Sequence, residues 1–216
     1  MPKRKVILSI LILIILFLSI YLLYYLNYLP HQKYTNKDFG IETYKSQVDK
    51  DNDGLDDQTD ILKNTRAYIA TKPKYKSKYY ETGYPNDNYG VCTDVVAFAL
   101  LNAGYDLKDL VNEDIKSNKE LYNISVIDKN IDFRRVKNLK IYFANNAISL
   151  TTDITDISAW QGGDIVIFEK HIGIVSDKRN KKGINFIIHH ANPMQLNYEE
   201  DILEHYGNIV GHYRIS

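Results

Sequence analysis

The chain has 216 residues, with 27 Lys or Arg balanced by 27 Asp or Glu, and carries a single cysteine. One cysteine excludes an internal disulfide framework and a Cys-rich zinc site, and a balanced charge excludes the basic excess on which nucleic-acid binding depends. With 44% apolar and 25% charged residues, the composition is that of a globular protein.

Lys3, Arg4 and Lys5 give residues 1–5 a basic flank, and an apolar run follows from Val6. Up to Tyr25 its only polar interruptions are Ser9, Ser19 and tyrosine hydroxyls. That run matches the about 20 residues a helix needs to cross a bilayer. Tyr21, Tyr24, Tyr25 and Tyr28 gather at its far end, where amphipathic rings favour the membrane interface. It is longer than the apolar core of a cleaved signal peptide and has no small-residue exit. Residues 6–28 are therefore predicted to be an uncleaved, single-pass transmembrane anchor. The preceding cations hold the N-terminus in the cytoplasm and send the rest outside. The exported part then has a net charge of about −3.

Residues 29–48 are polar, with scattered aromatics and no period, and read as a tether. Residues 49–60 have the spacing of a twelve-residue calcium loop. Asp49, Asp51, Asp53, Asp57 and Asp60 would offer carboxylates, Leu55 its carbonyl, and Gly54 the sharp turn. Asp60 stands where a bidentate Glu is usual, which predicts weaker Ca²⁺ binding in a structural role. The same residues also read as a solvated acidic turn, with Asp60 capping the next helix.

Residues 61–216 are predicted to form one domain. Ile61–Ala70 reads as a short amphipathic helix, and 71–90 as a loop rich in Lys, Tyr, Gly, Pro and Asn. The stretch 91–103 is apolar almost throughout, as a buried helix is, with Gly104 as its left-handed stop. A short helix over Leu107–Ile115 is opened by Asp106. After that come short β-branched segments over 164–168, 172–175, 184–189 and 209–215, separated by turn residues. Helices first and strands afterwards predict an α+β domain with an antiparallel sheet.

Cys92 falls where the loop Gly83–Gly90 enters the most buried helix. A helix N-terminus offers free N–H groups and partial positive charge, which acidify a thiol. A lone cysteine is as readily a small buried hydrophobe, but here Gly90, Thr93 and Asp94 make the surroundings polar. His171 opens one predicted strand, and His189-His190 end another. On neighbouring strands, His171 could take the thiol proton while His189 fixes its tautomer.

Gly90-Val-Cys92-Thr-Asp94, Trp160-Gln-Gly-Gly-Asp164-Ile-Val and His171-Ile-Gly-Ile-Val-Ser-Asp177 resemble the NlpC/p60-type papain-like cysteine peptidases of bacterial cell walls. Together with Asn130-Ile-Asp-Phe-Arg-Arg-Val-Lys-Asn-Leu139 and Gly211-His-Tyr-Arg214, they resemble more closely the bacterial family called domain of unknown function 1287. The resemblance covers about residues 49–215. It implies a papain-like domain with a nucleophile helix packed on an antiparallel sheet, and the roles map onto Cys92, His171 and His189, with His190 as the alternative third member. It also implies an oxyanion-stabilising tyrosine, Tyr80 or Tyr84, beside the Cys92 N–H. The implied substrate is a peptidoglycan stem peptide, cleaved at an amide bond without an organic cofactor. Where those peptidases read Asp-Cys-Ser-Gly, this chain has Val91-Cys92-Thr93-Asp94. The scissile bond therefore stays open between the γ-D-glutamyl–diamino acid link and another. Two other functions compete: an inactive cell-surface binding or scaffold domain, and an acyltransferase on the same fold.

Overall fold

The computed structural model describes residues 2–216. Its contacts divide the chain into two units, the second beginning at Lys33. In the first, α1 (Pro2–Tyr25) exposes apolar side chains on every side, from Val6 to Leu23. Its two serine hydroxyls donate back to the carbonyls of Lys5 and Ile15, so neither needs water. The described residues hold this one helix long and apolar enough to cross a membrane, consistent with a single-pass anchor or a signal sequence.

The second part begins at Lys33, so most of the expected tether belongs to the domain. Tyr34 pairs with Arg179, the Asn36 amide donates to Gln161, and the Tyr44 hydroxyl donates to the Ser216 carbonyl. A 3₁₀ turn over Asn36–Phe39 ends on left-handed Gly40. Polar residues without a period read as loose chain, yet these are held by hydrogen bonds rather than by an apolar stripe.

Helix α2 (Asp57–Ala70) starts earlier than expected, because Asp56 rather than Asp60 accepts the Thr59 N–H as N-cap. Two-residue strands β1 (Lys74–Tyr75) and β2 (Tyr89–Gly90) pair in parallel within the predicted loop. Next comes α3 (Cys92–Leu101), in which Val95, Val96, Ala97, Ala99 and Leu100 are all buried. Gly104, at φ +84°, follows it. Helix α4 (Leu107–Ser117) is capped by Asp106, as expected. Short α5 (Lys119–Tyr122) and α6 (Lys129–Asp132) lead to α7 (Val136–Asn146).

The remaining strands are β3 (Ile148–Ser149), β4 (Ile165–Phe168), β5 (Ile172–Arg179), β6 (Asn185–Ile188), β7 (Glu199–Glu200) and β8 (Ile209–Arg214). They form one six-stranded antiparallel sheet in the order β3-β8-β4-β5-β6-β7. Successive strand residues face opposite ways. Thus Ile165 and Ile167 pack with Val96, Leu100 and Phe143 on the helical face, while Val166 and Phe168 join Trp160, Ile202 and Leu203 on the other. Both faces are covered, which is why the strands read as continuous β-branched runs. Each such buried side chain contributes about 1.5–3 kcal/mol. The chain is a mixed α+β protein with an antiparallel sheet.

Candidate active site

The site begins at the junction of β2 and α3. Val91 is extended and cannot cap the helix with its side chain, so the Asp94 carboxylate accepts the Val91 N–H at 2.8 Å. Asp94 is fully buried and is met by the Arg134 fork, Nε at 2.6 Å and Nη2 at 2.9 Å. Arg134 also donates to the Lys78 carbonyl and lies 5.0 Å over the Tyr80 ring. One buried ion pair therefore ties together α3, the segment before α7 and the loop carrying Tyr80. Gly90 makes room for the buried Tyr68 hydroxyl, which stands where a β-carbon would go.

Cys92 is the first residue of α3 and is half-buried. Burial pushes its thiol up to about 11, against the pull of the N–H groups of Ile172, Thr93 and Cys92 itself. The expectation of an acidified thiol is thus overturned, because desolvation outweighs the helix N-terminus. The Ile172 N–H beside the sulfur nevertheless brings Cys92 against the start of β5, where His171 stands.

A tight turn at Glu169–Lys170, closed by the Phe168 N–H on the His171 carbonyl, delivers His171 to that position. Its Nε2 lies 2.9 Å from His189 Nδ1, and His189 Nε2 lies 3.0 Å from a Glu200 oxygen. Gly173 permits this approach: a β-carbon there would stand 2.6 Å from Ile187 Cγ2 and 3.2 Å from His189 Cβ. Burial holds both imidazoles neutral, each down at about 3, with His189 and His190 also lowering His171. The tautomers then follow from Glu200, since a carboxylate can only accept. His189 donates from Nε2 and accepts at Nδ1, and His171 donates from Nε2. Its Nδ1 is left with a free lone pair. Gln195 Nε2 approaches the same His189 nitrogen at 3.3 Å but also donates to the His189 carbonyl at 3.2 Å.

His190 stands apart from this relay, with its ring edge-on to Tyr75 and Tyr198. Tyr84 packs between Phe98 and Phe133, and its hydroxyl donates to the α4 cap Asp106 at 2.7 Å, which makes it a core residue. Tyr80 donates to Asp87 at 2.8 Å, and burial and that carboxylate push it up to about 12. Glu200 and Tyr206 escaped the sequence reading. The Tyr206 ring lies 4.7 Å from the His171 ring and 5.7 Å from that of His189, and its hydroxyl is electrostatically coupled to Cys92. Nothing in the sequence distinguishes it among 18 tyrosines.

Two of the motif segments serve a second buried centre. Fully buried Asp164 accepts from Arg214 Nε and Nη2 at 2.8 Å, His212 at 3.0 Å, Gln58 at 2.8 Å and the Gln161 N–H at 2.8 Å. Trp160 stacks on His212 at 3.7 Å. This hub joins β4, β8 and α2, and its work is structural.

In the acidic loop, Asp49, Asp51 and Asp53 bring carboxylate oxygens within 4.8 Å of one another. Gly54, at φ +92°, makes the turn, and its N–H donates to Asp49 at 2.9 Å. Burial and then the Asp53 and Asp51 charges raise the Asp60 carboxyl. Asp57 is committed elsewhere, accepting from the Lys50 N–H, the Tyr105 hydroxyl and the Ser216 hydroxyl. The cluster is thus Asp49, Asp51 and Asp53, and Asp60 acts on it through charge rather than as a member of it.

The family described as Domain of unknown function (DUF1287) matches residues 62–215. The Uncharacterized protein YijF of Escherichia coli (strain K12) is 34% identical over 167 residues, covering 71% of this chain and 80% of that protein. No solved structure matches. The matched span takes in the Cys92, His171, His189 and Glu200 positions, the Asp94–Arg134 pair and all of the Asp164 centre except Gln58, while the acidic loop precedes it. The chain belongs to the DUF1287 family.

Proposed function

We propose that the protein is a papain-like cysteine hydrolase of the NlpC/p60 kind, held at the outer face of the membrane by α1 and cleaving an amide bond in cell-wall peptides. The observation that carries this reading is the relay Glu200–His189–His171 at the head of β5, where the N–H of the next residue, Ile172, meets the sulfur of helix-N-terminal Cys92. A neutral imidazole is the right form for a general base. His171 Nδ1 takes the thiol proton as Cys92 Sγ bonds to the amide carbon, and the carbonyl π pair moves onto oxygen. Backbone N–H groups at the start of α3, with the Tyr206 hydroxyl, receive that oxyanion. The oxyanion then collapses, the C–N bond breaks, and His171 returns the proton to the departing amine. Water next attacks the thioester, with His171 taking its proton, and the C–S bond breaks to release the acid and restore the thiol.

Three loop carboxylates (Asp49, Asp51, Asp53) would hold a Ca²⁺ ion that braces the start of α2, remote from the chemistry. One observation favours a second reading, a wall-peptide binding domain without turnover: burial keeps the Cys92 thiol protonated at rest. Mass spectrometry of purified muropeptides incubated with the full-length protein separates the readings. A hydrolase yields two fragments whose masses sum to the substrate plus one water. Retention without a mass change supports the binding domain, and a new amide to an added amine supports an acyltransferase.

A further inference from the structure

A cavity of about 470 Å³ opens between the β1–β2 pair and the loop after β6, close to the site in sequence: Tyr89 lies three residues before Cys92, and His190 follows His189. Among its described lining residues two are lysines, Lys72 and Lys74, and none is acidic. Tyr75, Tyr89 and Tyr198 supply aromatic walls. The Tyr198 hydroxyl donates to the Pro73 carbonyl at 2.8 Å and so fixes the width of the groove.

His190 is the buried wall of this groove, only 3% exposed, with its ring 5.3 Å from Tyr75 and 5.1 Å from Tyr198. Its Nδ1 is buried and has no hydrogen-bond partner. A buried nitrogen left unpaired costs stability, and apolar neighbours of this size would accept a phenyl ring instead. An imidazole kept unpaired in a cationic, aromatic groove points to a ligand that supplies the missing partner.

We propose that the groove binds the free carboxylate of an acidic peptide, with His190 donating to one oxygen, Lys72 and Lys74 supplying counter-charge, and the tyrosine faces covering the apolar part. The proposal rests on the hydrolase reading and deepens it, placing a peptide carboxylate beside the bond that is cut. The test is isothermal titration of the full-length Cys92→Ser protein in detergent micelles. The probes are the tripeptide Ala-γ-D-Glu-Lys and the same peptide with its carboxylates amidated. The free acid is expected to bind at least tenfold tighter. That preference should collapse in exposed Lys74→Met and in His190→Phe, whose ring keeps the tyrosine packing. Equal affinity for both peptides, no binding of either, or an undiminished preference in both variants would overturn the proposal. Selective binding with no muropeptide turnover by the wild type would instead sink the hydrolase reading and leave the groove standing. Turnover indifferent to the carboxylates would do the reverse.

Discussion

At the residue scale two side chains test the proposed relay and its frame: Glu200, which the sequence did not single out, and Arg134, which it offered only within the Asn130–Leu139 segment. Glu200 sets every proton position in the relay, because a carboxylate can only accept. In Glu200→Gln the amide can donate to His189 Nε2, which shifts both tautomers and puts the proton on His171 Nδ1. We expect kcat for peptide cleavage to fall at least about tenfold with KM unchanged. Glu200→Asp should recover part of the loss, and an undiminished kcat in Glu200→Gln would remove Glu200 from the relay. Arg134 is the second. Its fork neutralises Asp94 inside the helix N-terminus, so Arg134→Ala leaves a buried charge unpaired. Urea unfolding should show a loss of about 3–5 kcal/mol, and a loss below about 1 kcal/mol would mean that Asp94 finds another partner. Cys92, His171 and His189 were legible because each lies in a short motif at an element boundary. Glu200 was not, since its role is set by a pairing across the sheet, and Arg134 stood in a quoted motif without its pairing to Asp94 across 40 residues of chain being readable.

Legibility follows local signal at the scale of elements too. The buried helix α3, the Asp106-capped α4 and strands β4, β5, β6 and β8 announce themselves by apolar runs and turn residues. Helix α7 went unread because Lys137, Asn138, Lys140, Asn145 and Asn146 blur its apolar stripe. The segment 34–48 looked like a tether because side-chain hydrogen bonds to remote partners leave no period. The acidic loop was legible as a pattern, but the diversion of Asp57 to Tyr105 and Ser216 was not. Crowding of Asp60 against Asp51 and Asp53 gives the loop its own test. Saturating Ca²⁺ should raise Tm relative to EDTA, as any ligand of the folded state does. Asp60→Asn should raise Tm in EDTA by relieving repulsion and weaken the Ca²⁺ response. An equal Tm with Ca²⁺ and EDTA would remove the metal.

Taken whole, the molecule buries three neutral histidines in and beside one cleft: His171 and His189 down at about 3, and His190 at about 4. In the unfolded chain each takes a proton below about pH 6.5, while the folded state refuses it. Their contribution to stability is therefore complete above about pH 6.5, falls progressively below it and is fully lost once pH has passed through the folded values. The slope is up to about 1.4 kcal/mol per pH unit for each histidine. Urea midpoints between pH 7.5 and 5 should fall steeply for the wild type and less steeply for His190→Phe. Parallel curves would mean that His190 titrates alike in both states. The central claim is that the single cysteine is the nucleophile. Its most direct test compares full-length wild type with Cys92→Ala on purified muropeptides, after matching Tm has shown both to be folded. The wild type should release two peptide fragments and Cys92→Ala should lose at least about a thousandfold in rate, whereas equal cleavage by both proteins would contradict the account.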